Sequence, residues 1–124
     1  MTTTDYELII IGGGPAGLTA GIYAARARMN AVLLEKVTPG GQVLATDWVE
    51  NYPGFPEGIS GVDLMMRMSE QAANLKVAIE SADVSAVDFS GEVKKIVTEN
   101  GTLTCRAVII ATGASPNRLG VPGE

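Results

Sequence analysis

The sequence predicts an α/β fold in which a parallel sheet continues into an antiparallel meander, and three observations predict it. First, residues 12–17 read GGGPAG and stand between an apolar run and an alanine-rich stretch. Second, residues 31–35 and 107–111 are almost wholly apolar, which is typical of parallel strands buried on both faces. Third, Asn100-Gly101 separates two strand-like runs, which is the strongest short signal for a β-hairpin.

The glycine-rich turn follows a predicted first strand, residues 6–11, and fits a phosphate-binding cradle. Gly12 allows a sharp turn, and Gly14 leaves room for a phosphate to approach the main chain. Gly17 lets the next helix lie close to the strand. The free N–H groups and the positive dipole end of that helix then face the anion.

This first helix is expected from Pro15 to about Met29, and residues 31–35 are expected to form the second strand. Glu35 ends that strand, where a βαβ unit places the carboxylate that binds a ribose. The alternative is that Glu35 is only a solvated acid at a strand end. The whole pattern predicts a Rossmann-like, three-layer domain that binds a dinucleotide.

Residues 36–60 are predicted to be irregular because prolines and glycines recur throughout them. The segment also contains Trp48, Tyr52 and Phe55. One interpretation is a surface loop held in place by its aromatic residues. We favour a segment that wraps a ligand, with the glycines at positions 40–41 allowing close approach, because long loops in compact domains usually serve a function.

The rest of the chain predicts one helix and several short strands. The helix covers residues 61–75, with Ser60 as its N-cap. The strands are expected over residues 77–79, 84–89, 93–98, 102–106 and 107–111, of which the middle three form the meander. The lone cysteine, Cys105, is expected to be a packed strand residue and not a reactive thiol.

Composition excludes several classes of function. The net charge of −5 and the absence of a basic cluster argue against nucleic acid and anionic membrane as partners. The chain has no histidine, so we expect no metal site. A single cysteine favours a reducing, cytoplasmic setting. Residues 8–25 lack charge, but their glycines and proline argue against a membrane span or a signal peptide.

Taken jointly, these stretches resemble the N-terminal part of the FAD domain of bacterial thioredoxin reductases, over nearly the whole chain. The resemblance is carried by residues 9–17 (IIIGGGPAG), 23–27 (YAARA), 40–42 (GGQ), 50–56 (ENYPGFP) and 107–114 (AVIIATGA). The first stretch would fit any dinucleotide-binding protein, whereas GGQ followed by ENYPGF is typical of this family. The resemblance implies FAD as cofactor, NADPH as hydride donor, thioredoxin as partner and a homodimer.

The resemblance also implies a set of cofactor-binding residues and no catalytic residue within this chain. The expected set is Gly12, Gly13, Gly14, Pro15, Ala16, Gly17, Glu35, Lys36, Gly41, Gln42, Thr46, Asn51, Val84, Ala111, Thr112 and Gly113. In the family, the glycine-rich turn holds the pyrophosphate, the acid after the second strand holds the adenosine ribose, and Val84 would contact the adenine. The flavin and ribityl region would be lined by Gly41, Gln42, Thr46 and Asn51, and residues 111–113 would close over the cofactor.

The sequence departs from the family pattern in lacking a second G-x-G-x-x-G, a Cys-x-x-Cys pair and the last parallel strand. We therefore expect residues 1–113 to form the first portion of a discontinuous, incomplete FAD domain. Residues 114–124 would be a linker toward a NADPH and dithiol domain that is absent here. The strand edges at residues 6–11 and 107–111 would then lack part of their cover.

Two alternatives remain from the sequence. One is a thioredoxin-reductase-like ferredoxin or flavodoxin NADP reductase, which shares the flavin half and lacks the dithiol. The other is a nucleotide-binding module without catalytic activity.

Overall fold

The computed structural model describes residues 3–36, 40–115 and 117–123. Its elements in chain order are β1 (Tyr6–Ile11), α1 (Pro15–Arg26), β2 (Ala31–Glu35), a 3₁₀ helix (Gly41–Ala45), α2 (Gly61–Asn74), β3 (Ile79–Ser81), β4 (Val84–Asp88), β5 (Lys94–Thr98) and β6 (Gly101–Ile110). The strands form one sheet in the order β3-β2-β1-β6-β5-β4. The pairs β3-β2, β2-β1 and β1-β6 are parallel, and the pairs β6-β5 and β5-β4 are antiparallel. The predicted α/β class, with a parallel sheet that continues into a meander, is confirmed.

Strand β6 serves both parts of the sheet. Its first half pairs with β5 as far as Cys105, and from Cys105 onward it pairs with β1, ending with Ile110 opposite Ile11. The prediction of two strands that divide after Arg106 was therefore wrong. A strand can exchange one neighbour for another without a break in its own backbone, so no turn residue marks the exchange.

The parallel strands are covered on both faces. Leu8, Ile10 and Leu33 pack with buried side chains of α1 and α2. The residues that alternate with them, such as Ile9 and Val32, pack with Ile96 of β5 on the opposite face. Helices, parallel strands and meander thus form the three predicted layers.

The helix ends follow their capping residues. Arg28 has φ 57, in the left-handed region, so α1 ends at Arg26 and not near Met29 as predicted. The N–H groups of Arg28 and Met29 turn back to carbonyl groups of the last helical turn. Helix α2 begins as predicted, because the Ser60 hydroxyl accepts a hydrogen bond from the backbone N–H of Asp63 at 3.0 Å.

Strand β3 begins at Ile79, two residues later than predicted. Val77 closes the turn that follows α2, since its N–H donates to the Ala72 carbonyl at 3.0 Å. The Val77 side chain also packs against the helical core and leaves no space for a Cβ at Gly21. Packing against α1 therefore takes Val77 away from the sheet.

The long segment between β2 and α2 contains the 3₁₀ helix and one antiparallel bridge between Val49 and Ile59. Tyr52 and Phe55 pack against the core formed with the helices, and the Arg67 guanidinium lies 5.8 Å from the centre of the Phe55 ring. These aromatic residues hold the loop in place, which is the interpretation that we did not favour.

The two predicted sheet edges differ. Residues 8–11 of β1 are buried, with β2 and β6 on either side, so the expectation of an uncovered edge there was wrong. At the end of β6, the Ile109 and Ile110 side chains are 40% and 62% exposed, as expected. No helix within the described ranges has the length and apolar character needed to span a membrane.

Candidate functional site

A cavity of about 850 Å³ opens where β1, β2 and β6 end. Strand β1 is followed by β2 on one side and is flanked by β6 on the other, so the cavity lies where the strand order reverses, the usual ligand site of an open α/β sheet. Its lining residues are Ile11, Gly12, Gly14, Pro15, Ala16, Leu34, Glu35, Lys36, Gly41, Gln42, Val43, Ala82, Asp83, Val84, Val87, Ile110, Ala111, Thr112, Gly113, Ala114 and Ser115.

The first turn of the cavity wall depends on Gly12 and Gly17. Gly12 has φ 110, and a Cβ there would lie 2.1 Å from the Ala111 carbonyl oxygen. A Cβ at Gly17 would lie 1.7 Å from the Gly12 carbonyl oxygen. These glycines let the backbone after β6 and the backbone at the start of α1 lie in direct contact with the turn. Packing within the protein explains both of them.

Gly14 differs, because the protein itself leaves room for a side chain there. A Cβ at this position would have no atom nearer than 3.9 Å, and the φ of −74 is accessible to any residue. Gly14 lines the cavity and is the N-cap of α1, which has no side-chain cap and no acid in its first turn. The uncapped N–H groups and the open space beside them suit an anionic ligand.

Glu35 is held at the edge of the cavity by the glycine-rich turn. Its Oε2 accepts the backbone N–H of Gly13 at 2.6 Å, and its Oε1 accepts the backbone N–H of Lys36 at 2.8 Å. The carboxylate is thus fixed in orientation next to the first turn. A fixed carboxylate is a good acceptor for the hydroxyl groups of a ribose.

The far end of the cavity is built from the start of the meander. Val84 and Val87 line it together, although alternation along a strand would place them on opposite faces. A register shift between Val84 and Ala86 accounts for this. Lys36 and Asp83 form an exposed ion pair at this end, with Nζ and Oδ2 3.9 Å apart.

The 3₁₀ helix supplies a further wall through Gly41, Gln42 and Val43. The Gln42 Nε2 donates to the Ala114 carbonyl oxygen at 2.8 Å, which joins this wall to the segment after β6. Of the described residues in the loop between β2 and α2, four line the cavity, namely Lys36 and these three. This supports the prediction that the loop reaches a ligand site.

Four predicted site residues do not line the cavity. Gly13 and Gly17 lie behind the lining residues: Gly13 donates its N–H to Glu35, and Gly17 packs against the Gly12 carbonyl. The Thr46 N–H donates to the Val43 carbonyl at the end of the 3₁₀ helix. Asn51 lies in the exposed loop and lines a separate, smaller hollow formed by residues 50–56. The binding roles of all sixteen predicted residues stay predictions, and Thr46 and Asn51 are the two for which the cavity offers no support.

Sequence reasoning missed nine of the lining residues. They are Ile11, Leu34, Val43, Ala82, Asp83, Val87, Ile110, Ala114 and Ser115. Most of them adjoin a predicted site residue in the sequence, and that adjacency was the available signal. Val87 had none, because its position depends on the register shift in β4.

The lone thiol lies outside this site. Cys105 is fully buried in the core between the sheet and the meander, and it does not line the cavity. Burial raises the pKa of the Cys105 thiol above its usual value, which disfavours the nucleophilic thiolate. This agrees with its predicted role as a packed strand residue.

Comparisons with known proteins agree with this geometry. The sequence pattern of the family described as pyridine nucleotide-disulphide oxidoreductase matches residues 6–124. A thioredoxin reductase from Mycolicibacterium smegmatis is 50% identical over 121 residues, which cover 98% of this chain and 39% of that protein. One from Chlamydia trachomatis is 50% identical over 125 residues, which cover 97% of this chain and 39% of that protein.

Solved structures show the same relation. The crystal structure of Lactococcus lactis thioredoxin reductase superposes with a TM-score of 0.88 at 44% identity, covering 96% of this chain and 39% of that one. The chain therefore spans about two fifths of the length of the relatives it matches.

Proposed function

The chain belongs to the pyridine nucleotide-disulphide oxidoreductase family, and we propose that its cavity holds the FAD of a thioredoxin reductase. The observation that carries the proposal is Gly14, whose missing side chain serves no packing purpose within the protein. An open position beside uncapped helix N–H groups is what a bound pyrophosphate requires.

The lining residues fit this cofactor along its length. The cavity volume of about 850 Å³ lies in the range of sites that enclose large organic ligands. Uncapped N–H groups of α1 would bind the pyrophosphate, and the Glu35 carboxylate would accept the ribose hydroxyls. Ala82, Val84 and Val87 offer an apolar surface for the adenine.

When bound, FAD would supply the redox chemistry by accepting hydride from a nicotinamide and passing electrons to a disulfide. This chain's own residues bind and orient it. The fixed Glu35 carboxylate would hold the adenosine half, and the 3₁₀ helix with residues 111–113 would line the site of the other half. No side chain described here supplies the dithiol, because the single cysteine is buried elsewhere.

The domain organisation follows as part of the same proposal. Residues 1–113 would form the first portion of a discontinuous FAD domain, and residues 114–124 would lead toward a NADPH and dithiol domain. The exposed Ile109 at the end of β6 supports this, since it lies outside the cavity and offers an apolar surface for further chain. NADPH as donor, thioredoxin as partner, a homodimer and a cytoplasmic location complete the proposal.

Competition binding tests the assignment of the cavity. The protein is titrated with FAD by flavin fluorescence, and then with ADP and FMN as competitors. Because Glu35, Val84 and the α1 N-terminus all serve the ADP half, we expect ADP to displace FAD and FMN to compete weakly. Displacement by FMN and not by ADP would show that these residues do not bind the nucleotide.

A further inference from the structure

The Gln42 carboxamide bridges two segments of the cavity wall. Its Nε2 donates to the Ala114 carbonyl oxygen at 2.8 Å, although the two residues are far apart in sequence. Both residues line the cavity, Gln42 from the 3₁₀ helix and Ala114 from the segment after β6. The bond therefore ties one wall of the cavity to another.

The wall that carries Gln42 is anchored at both ends. At its start, the Gly40 N–H donates to the Gly13 carbonyl at 2.8 Å, which links it to the glycine-rich turn. At its end, the Gly61 N–H donates to the Thr46 carbonyl at 3.2 Å. A Cβ at Gly61 would lie 2.0 Å from the Val43 carbonyl oxygen, so α2 packs directly on this wall. Gln42 thus projects from a rigid support.

The wall that carries Ala114 has fewer anchors. The ladder between β1 and β6 ends where the Ala111 N–H donates to the Ile11 carbonyl at 2.8 Å. Within the described part of the chain, the hydrogen bond from Gln42 to Ala114 is the one that holds residues 112–115 to the rest of the protein. Gly113 within this segment has φ 70 and open space around it. The Gln42 bridge therefore connects this segment to the better anchored wall.

We propose that Gln42 is a positioning residue that holds residues 112–114 against the bound nucleotide and slows its release. The inference rests on the proposed function. The bridge is exposed to water in this structure, whereas a ligand that fills the cavity would exclude water from it. A hydrogen bond strengthens when water is excluded, so ligand and bridge stabilise each other.

The test replaces Gln42 by a group whose donor can be titrated. In Gln42→Glu, a protonated carboxyl can donate to the Ala114 carbonyl, and an ionised carboxylate cannot. We expect FAD release to accelerate roughly threefold to tenfold as pH rises through the titration of that carboxyl, about the effect of one hydrogen bond. Gln42→Leu should release FAD fast at every pH.

The matched control is Gln71→Glu, which makes the same chemical change on the exposed surface of α2. The measurement is stopped-flow fluorescence of released FAD, from the full-length natural protein across the pH series. Wild type and the control should show the same flat profile. If Gln42→Glu is equally flat while wild type holds FAD, the positioning role is wrong and the proposed function stands. If wild type itself holds no FAD, both fail.

Discussion

Gly14 and Gly17 lie within one turn of each other, yet alanine at these positions should affect different properties. A Cβ at Gly14 meets nothing within 3.9 Å, and a Cβ at Gly17 would lie 1.7 Å from the Gly12 carbonyl oxygen. We therefore expect Gly14→Ala to weaken FAD binding strongly with the fold intact. We expect Gly17→Ala to destabilise the fold.

The magnitudes for Gly17→Ala can be worked from the contact. Alanine in place of glycine inside a helix contributes about 1 kcal/mol of stability through propensity. Van der Waals contact between carbon and oxygen lies near 3.3 Å, so α1 would have to withdraw by more than ~1 Å. Forced overpacking of this kind costs about 3 kcal/mol. The net loss of about 2 kcal/mol should lower the melting temperature by roughly 8 °C.

Gly14→Ala should leave the stability of the fold almost unchanged. Its backbone angles suit alanine, and the reduced freedom of the unfolded chain offsets the weaker N-cap to within about 0.5 kcal/mol. A methyl group between the pyrophosphate and the helix N–H groups would weaken at least two charge-assisted hydrogen bonds. At roughly 1.5 kcal/mol each, their loss raises the Kd for FAD about 100-fold or more. Valine at this position should abolish FAD retention.

The assay combines thermal unfolding of the ligand-free protein with fluorescence titration by FAD, on both variants and wild type. The reasoning would be refuted if Gly14→Ala bound FAD as wild type does. It would also be refuted if Gly14→Ala lost FAD only because it melted as early as Gly17→Ala.

Three further predictions follow from the local structure. Lys76 has φ 60 just beyond α2, so Lys76→Gly should raise the free energy of unfolding by about 1 kcal/mol in urea titrations, whereas Lys76→Ala should not. Cys105 is fully buried with a raised thiol pKa, so it should resist alkylation by iodoacetamide until the protein is denatured. Cys105→Ser should leave the rate of disulfide reduction by the full-length protein within a few-fold of wild type. Hydrogen bonds from Ser90 lower the pKa of Asp88, so Ser90→Ala should raise that pKa in NMR titrations. In the wild-type protein, the stability that this interaction contributes should be lost as the pH falls through the lowered pKa of Asp88.

The parallel half of the fold could be predicted because its determinants are local. Residues 8–11 and 32–34 are continuous apolar runs, and both proved to be buried strands. The glycine-rich turn joins the first of them to α1 at the predicted place. Each of these features depends on residues that are adjacent in sequence, so a pattern over a few positions was sufficient.

The features that sequence reasoning missed depend on contacts between distant residues. Val87 joins the cavity only because β4 shifts register against β5. Val77 leaves the predicted strand because it packs beside Gly21 on α1. The Gln42 bridge needs Ala114, which the chain places after the whole meander. None of these contacts leaves a periodic signal in the residues on either side.

The most direct test of the central claim is the visible absorption spectrum of the full-length natural protein after purification. We expect the spectrum of oxidised FAD, bleached anaerobically by NADPH and restored by oxidised thioredoxin. The Gly14→Val variant should be folded and colourless. A folded wild-type protein that binds no flavin when FAD is added would contradict the account, and so would a Gly14→Val variant with normal flavin content.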